Sequence, residues 1–389
     1  MRLCYVLLSP TFGMHQYTAD LANRMTQDAR GPAADGSHDV HLVTTGNYPR
    51  DRYAPSIAVH TPLTTRNSGF SLDALQFRSI RQALREVIDL RPDVVHVTGP
   101  HIWNLLLLRG LAAARIPVIH TLHDLDPHVG TRSGFLLKPW NQMIMRNADH
   151  ILVHGQIYRE RLLAAGLPRD RVTFTPLLHL FLGNEAGQGL TVSAEDIEYQ
   201  PWALFFGRVE RYKGLDCLLT ACDMIDDAGA GSPKVVIAGL GDLSDVWAGP
   251  LPKTVEVRNR RISDAEALDL FRRCGLLVLP YLNATQSALI AAAYCFRKPV
   301  LITRTGALPE YVEDGRTGCV VEPDHPATLA RCLREMLNDP AGLAQKGTAG
   351  RAWYESRRTL EEQTLRAMYQ QVSNSGAAER TTRQRQAAI

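Results

Sequence analysis

LLVLPYLNATQSALIAAAYCFRKPVLITRTGALPEYVEDGRTG, residues 276–318, decides the fold. Leu276 to Leu279 is a short apolar run stopped by Pro280, the pattern of a strand buried in a parallel sheet. A polar loop, Asn283 to Gln286, leads into an alanine-rich run that reads as a helix, with Ser287 or Thr285 as its N-cap. Lys298-Pro299 ends that helix, Val300 to Thr303 is the next strand, and Gly306 with Pro309 marks the following turn. A helix N-terminus behind a strand's carboxyl end suits phosphate, because its N–H groups and the helix dipole both favour an anion. From Ala267 to Pro309 the only carboxylate is Asp269.

The same alternation runs through the chain. Strands are expected at Arg2–Leu8, Asp39–Thr44, 92–97, 117–121, 149–153 and 172–174, then at 202–206, 234–238 and 254–258. Helices are expected at His15–Thr26, Leu72–Leu90, Leu215–Met224, Asp264–Cys274 and Ala327–Leu337. The pattern calls for α/β architecture, with mostly parallel sheets covered on both faces. Thr11 to Met14 reads as a glycine-bearing loop and residues 47–70 as irregular. Residues 183–200 lack periodicity and are the expected linker between an N-terminal domain, 1–182, and a C-terminal domain, 201–351. A long helix, Ala352 to Val372, and a disordered polar tail, 373–389, complete the expectation.

Composition narrows the classes. The 389 residues are 45% hydrophobic and 21% charged, as in a two-domain globular protein with a sizeable core. A net charge of +3, with no interleaved basic and aromatic run, argues against nucleic acid. The seven scattered cysteines read as reduced, in a cytoplasmic chain. MRLCYVLLSP is too short in its apolar core for a signal peptide and reads as a first strand. Arg109 and Arg115 interrupt the best membrane-spanning candidate, 102–119. Residues 132–146, with Trp140 among long apolar residues and Arg132, Lys138 and Arg146, read either as a membrane-surface helix or as one packed on its own domain.

Three motifs bear on chemistry. LFFGRVERYKGLDCLL brings Gly207, Arg208 and Lys213 to the end of a strand, two cations around a turn that suit a diphosphate. VVIAGLGDLSD has Gly239 and Gly241 after a strand, but Ser244 replaces the third glycine of a dinucleotide fingerprint, and Glu256 is only loosely placed for a ribose. HTLHDLDPHVG holds His120, His123 and His128; the spacing is not that of a helical zinc site, and His123, just past a strand's carboxyl end, is the one suited to chemistry.

Together GRVERYKG, VVIAGLGD, ISDAEALDLFRRCGLLVLPY and PVLITRTGALPEYVEDGRTGCVVEPD resemble family-4 retaining glycosyltransferases of the GT-B fold, as do HDLDPH and ADHILVHG in the N-terminal half. The resemblance implies two Rossmann-like domains facing across a cleft, with the final helix crossing back onto the first. It implies a metal-free enzyme without a cofactor, moving a sugar from a nucleotide-sugar, UDP-linked before GDP-linked, to a glycan, glycolipid or small-molecule acceptor. By that resemblance Arg208 and Lys213 neutralise the leaving diphosphate, His123 lies near the transferred sugar, Gly13 and Gly207 approach the phosphates, and Ile262 packs on the base.

The chain departs from the family at three places. Ala284 and Ala292 stand where two glutamates contact the donor, and neither side chain can accept a hydrogen bond. Thr285, Gln286 and Ser287, with the N–H groups of Ala288, Leu289 and Ile290, are the expected substitutes. Arg297 stands where glycine is usual. The alternative these departures raise is a non-catalytic, nucleotide-binding partner of another transferase.

Overall fold

The structure is a computed structural model that describes residues 1–26, 38–64, 77–127, 136–180, 182, 192–226 and 234–387, with side chains as far as 376. The first sheet holds seven parallel strands in the order β3-β2-β1-β4-β5-β6-β7: β1 (Arg2–Leu7), β2 (Asp39–Thr45), β3 (Ala58–Leu63), β4 (Val94–Val97), β5 (Val118–Thr121), β6 (His150–Val153) and β7 (Val172–Phe174). The second holds six, β10-β9-β8-β11-β12-β13: β8 (Trp202–Phe206), β9 (Lys234–Ala238), β10 (Val255–Arg258), β11 (Leu276–Leu279), β12 (Val300–Thr303) and β13 (Gly318–Val321). Every residue of β4, β5, β6, β11 and β12 is buried, which is why these strands are mostly Val, Ile and Leu on both faces, with His96, His120 and His150 buried among them.

The N-terminal sheet is covered by α1 (Phe12–Met25), α2 (Phe77–Asp89), α3 (Asn104–Ala113), α4 (Leu137–Asn147) and α5 (Gln156–Ala164). The C-terminal sheet is covered by α6 (Leu215–Asp226), α7 (Asp264–Arg273), α8 (Ala288–Cys295) and α9 (Pro326–Leu337). Ile80, Ala83 and Val87 of α2 are buried at helical spacing, so its amphipathic pattern turns one stripe into the core. The last helix, α10 (Pro340–Ala387), starts on one domain and ends on the other. There the Tyr369 hydroxyl bonds Tyr5 at 3.0 Å and His96 Nδ1 at 2.8 Å.

Four expectations differ from the structure. The segment read as a loop at Thr11 to Met14 is helical from Phe12, because an extended Thr11 caps it, so Gly13 lies in a helix's first turn. Within 47–70, Ala58–Leu63 is an edge strand; its burial is mixed and it contains Pro62, which hid it. The last helix starts at Pro340, where proline suits a first turn, rather than at Ala352. Its backbone continues to Ala387 through the segment read as a disordered tail, which contains several Ala, Arg and Gln and no proline. Residues 183–191 of the expected linker, Arg132 and His128 lie outside the described residues; 192–200 form no strand or helix.

Candidate active site

In both sheets the strand order reverses beside the first strand, at β1/β4 and at β8/β11. Open α/β sheets bind ligands outside the carboxyl ends of strands at such points. The two sets of carboxyl ends face each other. Tyr311, after β12, donates its hydroxyl to the His154 carbonyl after β6 at 2.5 Å. Glu310 accepts the N–H groups of Gln156 and Ile157 at 2.6 and 2.8 Å, capping α5 from the other domain. Arg52 of the N-terminal domain pairs with Asp264, at the start of α7, at 2.5 Å and also lies over the Phe12 ring.

Lys213 lies at the centre of the C-terminal half of this cleft. It is 8% exposed, sits under Gly207, and forms no ion pair among the described residues. Its Nζ faces the rings of Tyr212 and Tyr281 at 5.9 and 6.0 Å. Burial pulls its pKa down to about 8, a shift that Glu210 opposes and Arg208 assists. The turn that delivers it closes at Gly214, where φ is 66° and a Cβ would sit 1.9 Å from the Pro280 carbonyl oxygen; only glycine fits. Arg208 is exposed and bonded to Glu210 at 2.8 Å.

The Tyr281 hydroxyl bonds the Ser287 side chain and so joins Lys213's surroundings to the start of α8. Ser287 is the N-cap: its Oγ accepts the Leu289 N–H at 3.3 Å. The Ile290 N–H donates to the Ser287 carbonyl at 3.4 Å, so two of the three N–H groups expected to face phosphate are used within the protein. Thr285 is buried and bonds the Tyr158 hydroxyl of α5, so it joins the domains. Gln286 Oε1 is buried without a partner. Ile290, Ala284 and Ala292 are buried.

On the other wall a Cβ on Gly13 would meet nothing within 4 Å, so the first turn of α1 faces open space. His123 is half-buried, and its Nε2 donates to the Thr98 carbonyl at 2.8 Å, which leaves Nδ1 as acceptor in the neutral ring. Burial lowers its pKa and keeps it neutral, against the opposing pull of Thr98 and Asp124. Its ring packs edge-on to Tyr17 at 4.9 Å, and Tyr17 also meets His154 and His179 at 5.1 and 5.7 Å. Ile262 is half-buried just before the N-cap of α7. Arg208, Gly207, Lys213 and Ser287 therefore form one connected group. Gly13, His123 and Ile262 lie on the same cleft without a contact to that group among the described residues.

Sequence reading passed over Glu210, Tyr281, Tyr158 and Tyr17. Glu210 was visible inside GRVERYKG; the three tyrosines carry no local signal and reach the cleft only by folding. Glu256 is engaged by Lys234 and by Arg258, the latter at 2.8 Å, which removes it as a ribose ligand. Among the described residues no His, Cys, Asp or Glu side chains group as a metal site, and no helix is long and apolar enough to cross a membrane. In α4 Ile144 is buried and Trp140 packs against the core, while Met143, and Leu136 just before the helix, are exposed.

The sequence model of "Glycosyltransferase Family 4" matches residues 13–177, and that of "Glycosyl transferases group 1" matches residues 200–339. A D-inositol 3-phosphate glycosyltransferase from Streptomyces avermitilis is 31% identical over 159 residues, 38% of this chain and 34% of that protein. The chain thus spans about a third of that curated relative's length. A protein of the same description from Pseudarthrobacter chlorophenolicus is 24% identical over 87% of this chain and 84% of its own. Among solved structures, HepE of Anabaena in complex with UDP superposes with a TM-score of 0.67, at 16% identity, over 97% of this chain and 100% of that one.

Proposed function

Because the chain belongs to the family-4 glycosyltransferases, built on two facing Rossmann-like domains, we propose that it moves a sugar from a nucleotide-sugar to an acceptor, with retention of configuration. The observation that carries this reading is the buried Lys213 ammonium, which faces two tyrosine rings and forms no ion pair among the described residues. Its nearest carboxylate, Glu210, is shared with Arg208, so the two cations outnumber the negative charge beside them; a diphosphate would supply what is lacking.

In this reading Lys213, Arg208 and the start of α8 take up the charge of the leaving diphosphate, so no metal is required. Each such donor contributes roughly 3–4 kcal/mol to the transition state. The acceptor hydroxyl attacks the anomeric carbon from the face that the phosphate leaves; the C–O bond to phosphate breaks, a new C–O bond forms, and the hydroxyl proton departs with the phosphate. In this reading His123 Nδ1 accepts a hydroxyl of the transferred sugar. The acceptor, a glycan, glycolipid or small molecule, lies against the N-terminal domain. UDP is the expected nucleotide, since HepE, a protein of the same fold, was crystallised with it.

Ala284 and Ala292 favour a second reading, a nucleotide-binding partner without turnover. Thermal shifts with UDP, GDP and ADP identify the nucleotide, since a ligand of the native state raises its stability. Release of that nucleotide from its sugar esters, with acceptor extracts, then separates the readings. The transferase reading fails if no sugar nucleotide is ever consumed.

A further inference from the structure

Cys319 and Cys332 have no part in the transferase reading, and only the fold brings them together. Cys319 lies on β13, the edge strand of the C-terminal sheet, and Cys332 lies on α9, 13 positions later. Both are free thiols. The Cys319 S–H donates to Cys332 Sγ at 3.3 Å. Cys319 is partly exposed, and Cys332, beside it, is 6% exposed. Among the strands β13 pairs only with β12, so the two sulfurs lie at the border of the sheet rather than in its middle.

Their electrostatics set them apart from the other cysteines. The hydrogen bond from Cys319 stabilises a Cys332 thiolate and, with Arg331 of the same helix, brings that thiol down to about 7, against burial and the charges of Glu335 and Asp314. Cys319, the donor, is held in its protonated form, its pKa raised first by the same bond and then by burial. Elsewhere burial pushes thiols up, Cys4 to about 12 and Cys217 and Cys274 to about 11. A thiolate is the form that attacks an oxidant, and a second thiol in contact with it resolves the product.

We propose that Cys319 and Cys332 form an oxidation site, at which hydrogen peroxide converts the two thiols to one reversible disulfide. The Cys332 thiolate attacks one oxygen of the peroxide. The O–O bond breaks, the sulfur is oxidised to a sulfenic acid, and hydroxide leaves and takes up the proton that Cys332 had released. The Cys319 sulfur then attacks the Cys332 sulfur, the S–OH bond breaks, and the departing hydroxide takes the Cys319 proton. Two thiols and one peroxide give one disulfide and two waters. The sulfurs close from 3.3 Å to about 2.0 Å, and the bond ties the edge strand to α9. That helix packs on α6, which follows the Lys213 turn. The assignment is independent of the transferase reading.

The test treats the reduced, folded, full-length protein with hydrogen peroxide, blocks the remaining thiols with N-ethylmaleimide in denaturant, and maps all seven cysteines by peptide mass spectrometry. The expected product is a disulfide joining the Cys319 and Cys332 peptides, with Cys4, Cys217, Cys222, Cys274 and Cys295 blocked as thiols. Dithiothreitol then restores both sulfurs. The rate at which iodoacetamide alkylates Cys332 in the untreated protein should rise with pH to a midpoint at about 7. In Cys319→Ala, which lacks the donor, that midpoint should move up toward the ordinary thiol value of about 8.5. Circular dichroism verifies that the variant folds, and the peroxide map of the unaltered protein decides the matter without it. Oxidation of other cysteines before this pair overturns the proposal. So does a Cys332 that stops at the sulfenic acid, or an alkylation midpoint in the unaltered protein that already has the ordinary value.

Discussion

Lys213 and Arg297 show how single residues depart from their ordinary state. Burial lowers the Lys213 pKa to about 8, well under the ordinary lysine value. The linkage sign follows: between about pH 8 and the unfolded lysine value near 10.4, the unfolded chain holds the proton and the free native protein does not, so this group's contribution to stability rises with pH there. A diphosphate binds the protonated form. The thermal shift caused by the cognate nucleotide should therefore shrink between pH 7 and pH 9, and a shift that grows over that interval contradicts the assignment. Lys213→Ala should lower turnover by about a hundredfold or more, measured as nucleotide release, with little change in the unfolding midpoint. Arg297 has a φ of 52°, in the left-handed region, directly after α8. That explains why glycine is usual there. Arg297→Gly should raise stability by up to about 1 kcal/mol, the relief of the left-handed backbone less the added freedom of the unfolded chain. A shift in the denaturation midpoint reports it.

At the scale of elements, helix starts carry both the chemistry and the joint between domains. The Ser287 cap of α8 was legible, since a serine after a polar loop and before an apolar run is a local pattern. The α5 cap was not. Gly155, before that helix, contributes no side-chain cap, and the acceptors come from Glu310, more than 150 positions later. Glu310→Ala removes both acceptors from the α5 N-terminus and should cost about 1–2 kcal/mol. Limited proteolysis should then cut more readily around residues 155–160. Unchanged proteolysis and an unchanged midpoint would show that the contact is dispensable. The irregular-looking 47–70 segment hid β3 because an edge strand need not be apolar.

At the scale of the molecule, α10 ties the domains together through buried polar groups. Arg358 bonds Asp20 of α1 and Glu361, and Arg24 bonds both acids, Asp20 at 3.0 Å and Glu361 at 3.3 Å. Burial alone would raise the Asp20 pKa, but Arg358 and Arg24 outweigh it and hold the carboxyl well below its usual range. A depressed carboxylate stabilises the fold above its unfolded pKa near 3.9, and that contribution is lost as pH falls toward the folded value. Arg358→Met leaves a buried acid short of a partner and should cost about 3–5 kcal/mol. Its acid-unfolding midpoint should move to higher pH; an unmoved midpoint would show that Arg24 alone suffices. A second chain of bonds runs from Tyr17 through Thr121 and His96 to Tyr369, from beside His123 to the crossing helix.

The α/β alternation, eleven of the thirteen strands, the Ser287 cap and the Arg208–Lys213 pair could be read from local sequence, because apolar runs, caps and glycine turns are written over a few neighbouring residues. The tertiary structure alone decided that Lys213 is a buried ammonium, that Thr285 joins the domains through Tyr158, and that Glu310 caps α5 from the other domain. Burial and partnership depend on which distant segments arrive at a position, and no local pattern encodes that arrival.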